Sequence, residues 1–290
     1  MPLNVAGLRL LVPGVTLAVV AVVIAALIRW IAQISDIGRV GHTVDRVEAA
    51  TADALSTLDK HPLFDCRAQE GTPKGIPVRA DRLGYVQHFD ASRLQELAEE
   101  HDLMISITAR PGAYVSATRP LMLVEGDFDE KRDEEIANAL AGTFVVGDQR
   151  SFDSDPRFGL VVLAEIADRA LSPAVNDPGT AIDVVGTLTR LLAGWHPGDR
   201  EQEVEHDRLS IPALVPQDLL DDSFRPIARD GAGIIEVVLR LLNSLEVIAE
   251  ANPYLREAAL ATASDAVGRA RKALTAEADL RALEEAARFV

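Results

Sequence analysis

Residues 10–28, LLVPGVTLAVVAVVIAALI, form a run of 19 residues without a charged side chain. As a helix rising about 1.5 Å per residue, this run is about 28 Å long, close to the ~30 Å hydrocarbon core of a bilayer. Arg29 and Trp30 follow directly, a pairing suited to the membrane–water interface. Pro13-Gly14 falls near the other end, where a broken first turn costs little. A secretory signal has a shorter apolar run and a small-residue cleavage site, and Arg29-Trp30-Ile31 provides neither. An uncleaved membrane anchor is expected. No second stretch competes, because residues 231–249 carry Glu236, Arg240, Asn243 and Glu246. Arg29, Arg39 and Arg46 follow the span against Arg9 before it, which places the long C-terminal part in the cytoplasm.

Beyond the span, apolar positions continue at Ile31, Ile34, Ile37, Val40, Val44, Val47, Thr51, Leu55 and Leu58, near the 3.5-residue spacing of a coiled-coil seam. A helical stalk is expected there. One apolar face in water needs a partner, either other membrane helices or a neighbouring subunit. His61-Pro62 ends the stalk, and a Pro/Gly-rich linker runs to Gly75. Short strands are predicted at 76–78, 84–86, 103–108, 114–115 and 121–124, with a helix at 91–101. Helices are predicted at 134–140, 158–171, 180–192, 217–229, 234–250, 255–274 and 276–289, with a charged, loop-like segment at 196–207. The predicted organisation is α+β: a membrane anchor over 1–34, a helical stalk over 35–60, a small β-rich domain over 61–127 and a mainly α-helical domain over 128–290.

Composition narrows the function. The 290-residue chain carries a formal net charge of −16, neutral over 1–60 and acidic everywhere after, so it lacks the basic surface that nucleic-acid binding requires. Its one cysteine, Cys66, excludes an intrachain disulfide and a Cys-pair zinc site, and agrees with a reducing compartment. The six histidines form no HxxxH or HExxH pair, and no Walker A, GxGxxG or GxSxG motif occurs. Neither a metal nor a cofactor is expected.

The densest polar motif runs from Arg169 through Leu171-Ser172-Pro173, a helix stop, to Asn176-Asp177-Pro178, a helix start with Asp177 as N-cap. Phe152-Asp153-Ser154-Asp155-Pro156 is a second helix start. Arg169, Ser172, Asn176, Asp177, Thr180 and Asp155 are therefore the candidate ligand-binding or structural polar set, with no catalytic residue among them. If they converged in a pocket, carboxylates beside an arginine would suit acid–base work.

The stretch ALSPAVNDPGTA at 170–181 resembles the signature of the bacterial membrane-protein family called domain of unknown function 2254. VPGVTLAVV (12–20), GYVQHFD (84–90), LAEEHDL (97–103), RPGAYV (110–115) and FRPIARDGAG (224–233) occur in the family's order. The resemblance implies an inner-membrane protein with a cytoplasmic C-terminal region and no established activity. Gly179 stands where the family usually has a larger residue. Typical members also carry several spans before this one, whereas Met1 lies nine residues before the run. The earlier spans are then encoded separately, or the chain is a short variant, or its start is mis-assigned. The RPGAYV segment also resembles lipoyl-type segments, but Lys74 and Lys131 lie outside the predicted hairpins, so a covalent cofactor is not expected.

The expected function is a regulatory or assembly domain tethered to the lipid bilayer, as a subunit of a channel-like or transport assembly. Its partners would be a second copy of the chain or other membrane helices. The alternatives are a tethered scaffold or adaptor, and an enzyme with a polar site around Asn176 and Asp177.

Overall fold

The computed structural model describes residues 19–24, 26–27, 40–197 and 203–290. Most of the predicted span, Arg29, Trp30 and the stripe positions Ile31, Ile34 and Ile37 lie outside the described residues. Positions 19–24 and 26–27 are helical, and Val19, Val20, Val22, Val23, Ile24 and Leu27 are exposed. Among the described residues no helix is long and apolar enough to cross a membrane. Residues 1–46 and 47–290 form two separate compact units.

The stalk prediction continues into helix α1 (Val40–Lys60), where Val47, Thr51, Leu55 and Leu58 are buried as the periodicity requires. The partner for this part of the stripe comes from the chain itself. The Thr51 hydroxyl, which donates to the Val47 carbonyl at 2.6 Å, lies against Gly159 so closely that a Cβ there would sit 1.9 Å from it. Glu48 adds a bidentate ion pair with Arg190, at 2.8 and 2.9 Å.

The β part follows as β1 (Cys66–Ala68), β2 (Ile76–Val78), β3 (Gly84–Phe89), α2 (Ala91–Glu100), β4 (Met104–Ile107), β5 (Tyr114–Val115), β6 (Met122–Glu125), α3 (Glu134–Ala141) and β7 (Phe144–Gly147). β8 (His206–Ile211) returns much later to join it. One sheet has the order β1-β8-β4-β6-β2, with β8 parallel to both β1 and β4 and the remaining pairs antiparallel. The other is β5-β3-β7. Alternation explains the shared core: Ile105, Ile107, Met122, Val124, Leu209 and Ile211 face inward, while Ser106 and Ser210 stand side by side on the other face, their hydroxyls 3.1 Å apart. Phe89 stacks on Phe144 at 5.3 Å and meets Phe64 at 5.0 Å.

Three strands correct the sequence reading, and the first, β1, lies within the stretch to Gly75 read as a linker. β7 buries Phe144 but leaves Val145 exposed, and its FVVG run shows no apolar–polar alternation to mark it. β8 falls at the end of the stretch read as a charged loop, because its inward residues His206, Leu209 and Ile211 are separated by Asp207 and Arg208.

The helices α4 (Pro156–Leu171), α5 (Pro178–Ala193), α6 (Pro216–Asp230), α7 (Ile235–Ala251) and α8 (Arg256–Ala273) agree with the predicted ones to within two residues at either end. They close a ring, α4 on α5, α5 on α7, α7 on α8, α8 on α6 and α6 back on α4, and α9 (Glu277–Ala286) lies on α7 and α8. Leu163, Leu188, Phe224 and Leu242 fill the centre. α8 presents Ala258, Ala259, Ala263, Ala266 and Ala270 inward, a small-residue face that admits close helix approach.

Gly159→Val drives two methyl groups into Thr51 at the α1–α4 crossing. Overpacking at such a site costs about 1–3 kcal/mol. Urea unfolding should show that loss, and a variant as stable as the parent would mean the crossing is looser than this geometry.

Candidate functional site

The six candidate residues do not converge. Asp155 caps the N-terminus of α4, while Arg169, Ser172, Asn176, Asp177 and Thr180 surround its C-terminus and the start of α5. A 16-residue helix is about 24 Å long, and that distance separates the two groups. Asp153 lies two residues from Asp155 and so also stands at the opposite end of α4 from Asp177. Among the described residues no group of three or more His, Cys, Asp or Glu is placed to hold a metal ion.

At the α4–α5 turn the motif is consumed by chain reversal. The Ser172 amide and hydroxyl both donate to the Arg169 carbonyl, at 3.2 and 2.7 Å. Val175 and Asn176 amides return to the Ser172 carbonyl, and Asn176 takes φ +51°, a left-handed conformation that Asn tolerates better than most residues. The Asp177 amide donates to the Ala170 carbonyl at 2.8 Å. Its carboxylate accepts from the Thr180 amide at 3.2 Å and the Thr180 hydroxyl at 2.6 Å, so it is the predicted N-cap. These hydrogen bonds hold the Asp177 carboxyl below the usual carboxylate range. Arg169, Asn176 and Asp177 are exposed, as is Val175 at 54 %. A Cβ at Gly179 would lie 3.3 Å from Asp177 Oδ1, so a larger residue fits with a small adjustment. One turn back, Asp168 accepts from Arg229 at 3.0 Å, and Arg229 also holds Asp230 at 2.5 Å, which ties the last turns of α4, just before the 170–181 segment, to the 224–233 segment.

The charged cluster lies at the other end of α4. Asp155 is 2 % exposed and accepts two hydrogen bonds from Arg150, from Nε at 2.6 Å and from the terminal nitrogen at 2.9 Å, and one from the Phe158 amide at 3.2 Å. The Arg150 guanidinium sits over the Phe158 ring at 5.3 Å. Burial pushes the Asp155 carboxyl above its usual value, and Arg150 opposes that shift. Gly112 (φ +88°) presses on this carboxylate, where any Cβ would come within 2.2 Å of Oδ2. Two residues earlier Arg110 donates to the carbonyls of Pro212 and Pro62 and lies 5.4 Å over the Phe64 ring. Burial pushes its guanidinium down to about 10. Arg157 pairs with Asp222 at 2.6 Å and Asp218 at 2.8 Å on α6.

Sequence reasoning found Asp155 but missed Arg110, Gly112, Arg150 and Arg157 around it. The i,i+4 spacing of Asp218 and Asp222 marks one acidic helix face, but no local pattern links it to Arg157 or ties residue 112 to residue 155. Cys66 is buried, its thiol donates to the Phe64 carbonyl at 3.4 Å, and burial pushes its pKa up to about 12, far from a nucleophile's range. Clefts of about 330 Å³ beside Arg79 and Glu130 and about 250 Å³ beside Arg67, Ser106 and Ser210 contain none of the six candidates.

The two aspartates should respond differently to truncation. Asp177→Ala removes an exposed cap and costs no more than its capping hydrogen bonds contribute. Asp155→Ala leaves Arg150 without its carboxylate at a site where Arg150 is 19 % exposed, a change worth about 3 kcal/mol or more. Denaturant titration of both variants orders the two losses, and equal losses would contradict the burial argument. Because its pKa is depressed in the fold, Asp177 adds stability above the ordinary carboxylate range and loses it as pH falls through the lowered value. Asp177→Asn should therefore flatten the acid side of the stability–pH curve, read from melting temperature against pH.

Comparison with known proteins adds the lineage. An uncharacterized protein of Mycobacterium bovis is 29% identical over 199 residues, 67% of this chain and 38% of that protein. An uncharacterized protein of Mycobacterium tuberculosis strain H37Rv matches with the same identity and coverage. The chain thus spans well under half the length of these relatives. No solved structure matches it. The model of the family described as "Predicted membrane protein (DUF2254)" matches residues 4–247, through the β part and into α7, and the chain belongs to that family.

Proposed function

We propose that this chain is a membrane-anchored subunit whose residues beyond the anchor act in the cytoplasm as a regulatory or assembly domain, in a channel-like or transport assembly. The observation that carries this reading is the separation of the candidate residues into a solvent-exposed turn and an ion-paired cluster at opposite ends of α4. Acid–base catalysis needs its groups within hydrogen-bond reach of one substrate, and a 24 Å helix keeps these groups apart. The uncharged run 10–28, the exposed Val and Ile side chains at 19–24 and the family's description support the anchor. The arginine asymmetry around the run supports the orientation.

A second reading, a tethered adaptor recruiting a basic partner, is favoured by the net charge of −16. Raised salt screens such contacts, so loss of a co-purifying partner at high salt selects this reading, and retention selects the first.

The full chain, expressed in bacteria, should sediment with membranes, resist an alkaline wash and dissolve only in detergent. In detergent it should run as an oligomer of the 31.2 kDa chain or with partner subunits. Recovery of the intact chain from a detergent-free soluble fraction overturns the anchor. A strictly monomeric species, purified mildly from its native membrane, overturns the assembly role.

A further inference from the structure

The core of the β part, from Cys66 to Ile211, closes over itself. The helices of the α4–α8 ring pack chiefly on one another, on α9 and, at Gly159 and Arg190, on α1, while the strands pack chiefly on one another and on α2 and α3. Apart from the return from α5 to β8, the chain crosses between the two parts at three segments: 61–65 after α1, 148–155 before α4 and 212–215 before α6. One turn of the β part touches all three. Arg110 donates to the Pro62 carbonyl of the first crossing, covers its Phe64 ring and donates to the Pro212 carbonyl of the third. Two residues on, Gly112 rests on the Asp155 carboxylate of the second.

The first crossing is also strained. Phe64 and Asp65 take φ +53° and +58°, consecutive left-handed conformations that non-glycine residues rarely hold unless their surroundings fix them. Arg110 over the Phe64 ring and the His61–Asp65 contact at 2.8 Å supply that fixation. Tyr254 pins the third crossing from the helical side, its hydroxyl donating to the Leu214 carbonyl at 2.7 Å. Residues 47–290 form one compact unit, within which the β part keeps a core of its own and meets the helical ring through charged, loop-built contacts of the kind that permit relative motion.

We infer that the β part and the helical ring reorient as two bodies about these crossings, and that the Arg110–Gly112 turn is the latch holding the orientation seen here. The latch is released when the Arg110 guanidinium leaves the Pro62 and Pro212 carbonyls and Gly112 lifts from Asp155. The inference concerns residues 47–290 and does not depend on the membrane reading.

Spin labels at Glu100→Cys on α2 and Lys272→Cys on α8, both exposed positions, report the distance between the two parts in the full detergent-purified chain. Cys66, buried with its thiol pushed up to about 12, stays unlabelled. The parent should give one narrow distance. Arg110→Gln and, from the other side of the turn, Gly112→Ala should each add a second, resolved distance while far-ultraviolet circular dichroism stays at the parental level. In the parent itself, urea below the global midpoint should populate that second distance before helical signal is lost. An unchanged narrow distance in either folded variant overturns the latch. So does a single distance in the parent up to global unfolding, a measurement that decides the matter even where neither variant folds.

Discussion

A buried carboxylate must be answered by positive charge, and Asp155 is where this protein meets that requirement. Removing an aspartate from water costs several kcal/mol unless hydrogen-bond donors surround it. Arg150 supplies two and the first turn of α4 a third, so one residue is at once helix cap and ion-pair partner. The position of α4 follows from that arrangement. Four residues beyond Asp155, Gly159 receives Thr51 of α1, and the turn at Gly112 seats against the carboxylate from the β side. Helix α1, the helical ring and the sheets are thus referred to the same first turn of one helix.

Glycine is required at residue 112 for two reasons that act together. Its φ of +88° disfavours any side chain, and the Asp155 oxygens occupy the space a Cβ would need. The neighbouring Arg110 carries a charge into a largely buried place with two backbone carbonyls and an aromatic face as its nearest company. Such an environment lowers its pKa but leaves it cationic at neutral pH. A charged joint of this kind holds orientation through geometry rather than through apolar area, which separates it from the two hydrocarbon cores on either side.

The signature ALSPAVNDPGTA has a different character. Ser172, Asn176, Asp177 and Thr180 spend their hydrogen bonds on stopping one helix and starting the next. What remains unspent is the exposed apex Pro173–Asn176, including the Val175 side chain.

Local rules alone were enough to write the helices, most of the strands and the Asp155 and Asp177 caps, because caps, proline stops and apolar periodicity act within a few residues. They also placed Val47, Thr51, Leu55 and Leu58 on one buried face. They could not reveal what that face meets, since Gly159 lies about a hundred residues further along the chain. They missed β1, β7 and β8, and it is the pairing of β1 with β8, β8 with β4 and β7 with β3 that makes such short segments strands. Above all, the sequence listed Asp155 beside Asn176 and Asp177 as one polar set, and only the tertiary structure put a full helix between them and delivered Arg110 and Gly112 to Asp155. The physical reason is that burial and charge pairing depend on which surfaces meet in space, whereas turns and helix ends are fixed by neighbours along the chain.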